Sequence, residues 1–213
     1  MSTIKLLDVC VKRKVRIIFF SSGGTVCGEP HYLPIDEDHP TNPKSAYGIH
    51  KLTVEKILEY YGYTYNLDYI ILRVSNPYGA GQAVEKNQGV ISVFIRNISN
   101  GLPIEVWGDG KTIRDYIFID DVIEACKKMI FYNGETRVFN VGEERGYTIE
   151  EIVQMIQKEL GRKIEIVHKE GRIQDVSANV LDCTRIKSEV SWNATIELKT
   201  GIKQIINSTG DLF

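Results

Sequence analysis

The sequence predicts an α/β fold built on a parallel sheet, and three observations carry that prediction. The runs 15–22 (VRIIFFSS) and 68–75 (DYIILRVS) are short and almost unbroken in apolar character, as buried parallel strands require. Stretches with apolar residues at helical spacing lie between such runs, so strand and helix signals alternate along the chain. The composition is that of an ordinary globular protein, with 43% hydrophobic and 25% charged residues over 213 positions, enough for a full core.

Taken in order, residues 2–12 read as the second half of an amphipathic helix, with Ile4, Leu7 and Val11 on one face and Cys10 beside them. Strand 15–22 follows and enters a glycine-rich loop, Gly23-Gly24-Thr25-Val26-Cys27-Gly28. A polar loop holding Pro30, Pro34, Pro40 and Pro43 leads to a helix over 45–61 that Gly62 is expected to stop. Strand 68–75 ends in Asn76-Pro77-Tyr78-Gly79. A helix over 88–100 precedes a short strand at 104–107, and 116–132 carries a strand into another helix. Residues 138–142 form a strand. Thr148 and Glu151 make a capping box for the helix 148–160, whose apolar face is Ile149, Ile152, Val153, Ile156 and Leu160 and which Gly161 ends. A strand at 163–168 and a helix over 198–207 complete the set.

Net charge is −2, from 26 basic and 28 acidic residues, so no basic field exists to drive nucleic-acid binding. The apolar runs are strand-sized, far below the ~20 residues of a membrane span, and Arg13, Lys14 and Arg16 interrupt the early one against a signal peptide. Cys10, Cys27, Cys126 and Cys183 form no CxxC pair and read as scattered reduced thiols of a cytoplasmic protein. Asp109, Asp120 and Asp121 lack organised ligand spacing, so no metal centre is expected. The sequons at Asn97, Asn193 and Asn207 carry no weight without a secretory signal.

The chemistry centres on Tyr47 and Lys51, four apart and therefore on one helix face. A phenol has a reference pKa of ~10, and a nearby ammonium favours its ionised form, which makes a usable general base. The helix follows a strand whose end carries Ser21, Ser22 and Thr25.

Five ordered motifs, FFSSGGTVCG, SAYGIHK, LRVSNPYGAGQ, VWGDGKTIRDYIFIDDV and FNVGEERGYTIEEIV, resemble the extended short-chain dehydrogenase/reductases over about residues 2–207. The similarity is to their NAD-dependent epimerase/dehydratase branch, of the UDP-glucose 4-epimerase type. The resemblance implies that Tyr47 is the catalytic acid/base, that Lys51 lowers its pKa and holds the nicotinamide ribose, and that Ser21, Ser22 and Ser75 lie near the cofactor. It further implies that Asn76 faces the sugar-nucleotide pyrophosphate and that Gln88, Val90 and Ile91 begin a substrate-side helix. Val106 and Trp107 would flank the uracil or its ribose, while Arg114, Arg172 and Asp175 would hold phosphate and ribose hydroxyls. A homodimer seam through the Tyr47 helix and the helix 2–12 is implied as well.

Three departures from the family pattern stand out. Gly23 occupies the place of the catalytic serine or threonine, leaving Ser22 or Thr25 as the third member. Cys27 replaces a tyrosine and reads as a small buried thiol. No G-x-x-G-x-x-G or G-x-G-x-x-G turn occurs, so the chain is expected to be the C-terminal two-thirds of an epimerase, lacking roughly three βα units. The expected architecture is a partial Rossmann, doubly wound parallel sheet (1–80 and 115–145) with a smaller nucleotide-sugar-binding lobe (81–114 and 146–213). The expected activity is inversion of C4 of a UDP-sugar by transient NAD-dependent oxidation to a 4-keto intermediate. The loop 23–28 has no carboxylate of the kind that dehydratases and decarboxylases use. The alternatives are an inactive nucleotide-sugar-binding remnant, or another NAD-dependent enzyme such as a reductase or dehydratase.

Overall fold

The computed structural model describes residues 2–82, 89–171 and 176–208. The first half runs α1 (Ser2–Arg13), β1 (Ile17–Ser22), α2 (Gly23–Cys27), α3 (Ala46–Tyr65), β2 (Tyr69–Val74), β3 (Asn76–Tyr78) and α4 (Val90–Ser99). Then come β4 (Ile104–Trp107), β5 (Ile113–Phe118), α5 (Ile119–Ile130), β6 (Val138–Val141), β7 (Gly146–Thr148) and α6 (Ile149–Leu160). The last elements are β8 (Ile166–Lys169), β9 (Ala178–Asn179), α7 (Thr184–Val190) and α8 (Leu198–Ser208).

Strands β1, β2 and β6 form a parallel sheet with β2 in the centre. Period-2 alternation sends Ile70, Leu72 and Val74 to one face, where they meet Val122, Ala125 and Met129 of α5 and Ile186 of α7. Tyr69 and Ile71 go to the other face, against Leu7 and Cys10 of α1 and Leu58 and Tyr61 of α3. Helices thus cover both faces, and every residue of β2 is buried. That is the doubly wound arrangement the alternating pattern predicts.

The chain returns to this core late. Leu181, Cys183, Ile186 and Trp192 pack into it, although they fall in the stretch assigned by sequence to the lobe. The loop before α3 brings them there: Ile35 N–H donates to the Val180 carbonyl, and Asp182 N–H donates to the Ile35 carbonyl, each at 2.8 Å.

The second layer is built on β5, parallel to β3 and β9 and antiparallel to β7. Helices α4, α6 and α8 close its core with Ile91 and Phe94, Ile152 and Ile156, and Leu198 and Ile202. The parallel pair β4–β8 flanks it.

Several local expectations change. The helix at 46–65 runs through Gly62 and ends at Asn66 in the left-handed region (φ 53°), whose N–H reaches the Tyr61 carbonyl. Gly62 is there for close packing: a Cβ on it would lie 2.4 Å from the Tyr69 ring. The glycine-rich segment after β1 is a five-residue helix rather than a loop. In α1, Leu7 and Cys10 are buried as expected, but Ile4 is exposed. Strand β1 is only partly buried, with Phe20 exposed, because among the described residues it pairs with β2 alone. No helix among the described residues is long and apolar enough to cross a membrane.

Candidate active site

Ser45 caps α3, its hydroxyl accepting the Gly48 N–H at 3.1 Å. Gly48 lets α3 approach α2 closely, since a Cβ there would meet the Thr25 carbonyl at 2.5 Å. This contact sets Tyr47 beside the end of β1. Tyr47, Lys51, Ser22 and Ser75 line one open cleft of about 460 Å³, walled by Ile119, Ile123 and Cys126 of α5.

Within the cleft Lys51 Nζ donates to the Phe20 carbonyl at 2.7 Å and stands 5.5 Å from the centre of the Tyr47 ring. Burial raises the Tyr47 phenol above its ordinary value and lowers the Lys51 ammonium below its own. In this arrangement burial is the cause of both shifts, and no lowering of the phenol by Lys51 accompanies it. Ser22 Oγ donates to Thr25 Oγ1 at 2.8 Å, so both candidate hydroxyls belong to one hydrogen-bonded unit.

Ser21 also lines this cleft, and its buried hydroxyl donates to Glu55. The Ser75 hydroxyl is buried and stands near the Asp115 carboxyl, but outside hydrogen-bond geometry. Cys27 is the buried thiol expected, with burial pushing it up to about 11.

A second cleft, of about 480 Å³, opens beside the first and is lined by Asn76, Val90, Ile91, Val106, Trp107 and Arg114. Ile91 and Val106 are core residues that back it, whereas Trp107 is exposed, as alternation along β4 requires. A third hollow, of about 240 Å³, shares Asn76 and Arg114 and adds Thr25, Lys44 and Asn179. Asn76 Nδ2 donates to the Asp115 carbonyl, and Arg114 Nη1 to the Ile113 carbonyl. Asp115 is fully buried, and its carboxylate accepts the N–H groups of Glu143, Glu144 and Leu181. Burial nevertheless outweighs those bonds and raises it to about 7. Gln88, Arg172 and Asp175 lie outside the described residues.

Sequence reasoning missed Lys44 and Asn179. Asn179 pairs in register with Arg114, and its buried Oδ1 has no hydrogen-bond partner among the described residues. Gly24 is glycine because a Cβ there would overlap the Asn179 amide at 2.0 Å. Lys44 directly precedes the Ser45 cap, a place that could have flagged it. Asp121, considered for a metal, instead accepts from Thr195 N–H and Oγ and from Ile196 N–H.

A doubly wound parallel sheet with Tyr-x-x-x-Lys at a cleft on its edge defines a nucleotide-dependent short-chain dehydrogenase/reductase. The chain belongs to the NAD dependent epimerase/dehydratase family, whose sequence model matches residues 1–142. It is 37% identical over 209 residues to a putative UDP-glucose 4-epimerase of Methanocaldococcus jannaschii, covering 97% of this chain and 67% of that protein. It is 36% identical over 193 residues to the dTDP-4-dehydro-6-deoxyglucose reductase of Escherichia coli, covering 91% of this chain and 61% of the relative. Among solved structures, the UDP-glucose 4-epimerase of Thermotoga maritima with UDP-glucose matches with a TM-score of 0.92 at 32% identity, covering 97% of this chain and 67% of that one. The UDP-glucose 4-epimerase of Thermus thermophilus in complex with NAD matches at 0.90 and 28% identity, covering 98% and 69%. The chain thus spans about two thirds of the length of these relatives.

Proposed function

We propose that the chain carries the catalytic pair and the sugar-nucleotide site of an NAD-dependent nucleotide-sugar epimerase of the UDP-glucose 4-epimerase type. The observation that carries this reading is the meeting of Tyr47, Lys51 and Ser22 in one cleft, with Thr25 hydrogen-bonded to Ser22 from the adjoining hollow, next to a second cleft that holds Arg114 and Trp107.

The first cleft suits the nicotinamide-ribose end of NAD. Lys51 and Tyr47 offer hydrogen-bonding groups there, and the buried Ser75 hydroxyl has no partner in hydrogen-bond geometry among the described residues. When bound, NAD supplies reversible hydride acceptance. Tyr47 removes the proton of the sugar C4 hydroxyl and later returns it to the same oxygen. Ser22 or Thr25 hydrogen-bonds that oxygen, and Lys51 supplies the positive charge that a phenolate needs. The Arg114 guanidinium fits two phosphate oxygens and the Asn76 amide supports them, while Trp107 and Val106 flank the base. Val90 and Ile91 back the same site, and Gln88, Arg172 and Asp175 belong to the proposed set on resemblance alone. The free cysteines are in keeping with a reducing cytoplasm.

Replacing Tyr47 by Phe, in a form of the protein that epimerises UDP-glucose, should lower the rate about 10²–10⁴-fold and leave UDP-glucose binding intact. Equal rates would remove Tyr47 from the chemistry. A reductase reading is favoured by the 36% identical relative, and the loop between β1 and α3 offers no carboxylate next to Thr25 for a dehydratase. Conversion of UDP-glucose to UDP-galactose without net NADH formation separates epimerase from reductase.

We also propose a homodimer through α1 and α3. Pro43, Ile49, Leu52, Ile57 and Tyr60 line an apolar groove on α3, and α1 exposes Leu6 and Val9 beside it. Sedimentation that finds only 24.2 kDa particles at tens of micromolar overturns this assembly.

A further inference from the structure

Helix α3 carries a third polar residue on the stripe of Tyr47 and Lys51. Glu55 lies one turn beyond Lys51, and its side chain is wholly buried. It accepts from Ser21 Oγ on β1, and from Arg73 on β2 through Nη2 at 2.8 Å and Nε at 3.2 and 3.3 Å. Ser21 and Arg73 are register partners across the two strands, so one carboxylate grips the same level of both. The next level up, Ser22 and Val74, already lines the cleft.

We infer that Glu55 is a positioning residue that pins α3 to the β1–β2 register and so holds Tyr47 and Lys51 over the cleft. This rests on the reading of Tyr47 and Lys51 as the catalytic pair. The physical reason lies in what apolar packing lacks. Leu58 and Val54 attach α3 to the sheet, but such contacts tolerate sliding and rotation. A buried carboxylate satisfied by a hydroxyl and a guanidinium has one geometry, and its loss takes from the buried Arg73 the carboxylate it pairs with. A slip of one helical turn would carry Tyr47 about 5.4 Å along the axis, away from the Ser22–Thr25 pair.

The pin extends to the chain that delivers α3. Arg73 Nη1 donates to the Glu37 carbonyl at 2.9 Å, and the Glu37 carboxylate accepts the Asn140 N–H at 2.7 Å and pairs with Arg185. The loop before the Ser45 cap and the centre of the helix are therefore fixed through the same arginine. Ser21 is the member of this network that lines the cleft beside Tyr47 and Lys51, so the network's effect should appear in their environment.

The test is a tyrosine ¹³Cζ and lysine ¹⁵Nζ NMR titration of the 213-residue chain, following Tyr47 and Lys51 in the parent and two variants. Lys127 also lines the cleft, so lysine signals are assigned with Lys51→Arg. Glu55→Asp keeps the charge but shortens the reach. Glu55→Leu with Arg73→Leu keeps the burial and removes the pin. In both variants the Tyr47 and Lys51 midpoints should move toward the ordinary values of about 10 and about 10.4, with helical content by circular dichroism retained. Unmoved midpoints in a folded variant overturn the inference. If the double variant fails to fold, Glu55→Asp alone decides it by the same criterion. Full activity in Tyr47→Phe would instead remove the catalytic reading, leaving the titration to judge the pin by itself.

Discussion

At the residue scale, function concentrates in side chains whose surroundings leave them something to do. Arg114 lines two hollows and, among the described residues, spends one N–H on its own neighbour's carbonyl, which leaves donors of its fork to meet an anion. Its replacement by alanine should weaken UDP binding by ~1.5–3 kcal/mol, the range for a hydrogen bond to a charged group. Titration calorimetry with UDP reads this, and unchanged affinity removes Arg114 from the site. The Tyr47–Lys51 pair was legible in the sequence because a spacing of four is a local property of helices. Asn179 was not, since a two-residue strand far along the chain brings it to Arg114, and nothing in its neighbours announces that pairing. The bond of Ser21 to Glu55 was not legible for a related reason. Strand alternation gives Ser21 and Ser22 different surroundings, and the buried partner that claims Ser21 is 34 residues away.

At the element scale, local rules held where no distant contact opposed them. The Thr148–Glu151 capping box and the Gly161 stop of α6 stand as the sequence reading had them. Gly62 shows the opposite case. Helix propensity favours alanine over glycine by ~1 kcal/mol, but a Cβ at this position meets the Tyr69 ring at 2.4 Å. Overpacking costs typically ~1–3 kcal/mol, so Gly62→Ala should lower stability despite its gain in propensity. A higher melting temperature for the variant would show that the ring yields. The short elements α2, α7, β3, β7 and β9 escaped the sequence reading because two to seven residues cannot display a period. Their places are set by register with longer partners.

At the scale of the whole molecule, the chain sets the Tyr47–Lys51 cleft, proposed for the nicotinamide end of NAD, beside the Arg114–Trp107 cleft, proposed for the sugar nucleotide, while the 213 residues contain no glycine turn for a dinucleotide pyrophosphate. Much of the grip on NAD comes from that turn and its helix N-terminus. The 213-residue polypeptide should therefore purify without stoichiometric NAD, as absorbance would reveal. Recovery of one NAD per chain would mean that the nicotinamide-side contacts suffice.

The central claim is that this chain holds a nucleotide-sugar site, and titration of UDP-glucose into the 213-residue protein tests it most directly. Saturable heat with one UDP-glucose per chain is expected, weakened in Arg114→Ala and kept in Tyr47→Phe. No binding to the folded parent chain, or equal affinity in Arg114→Ala, would contradict it.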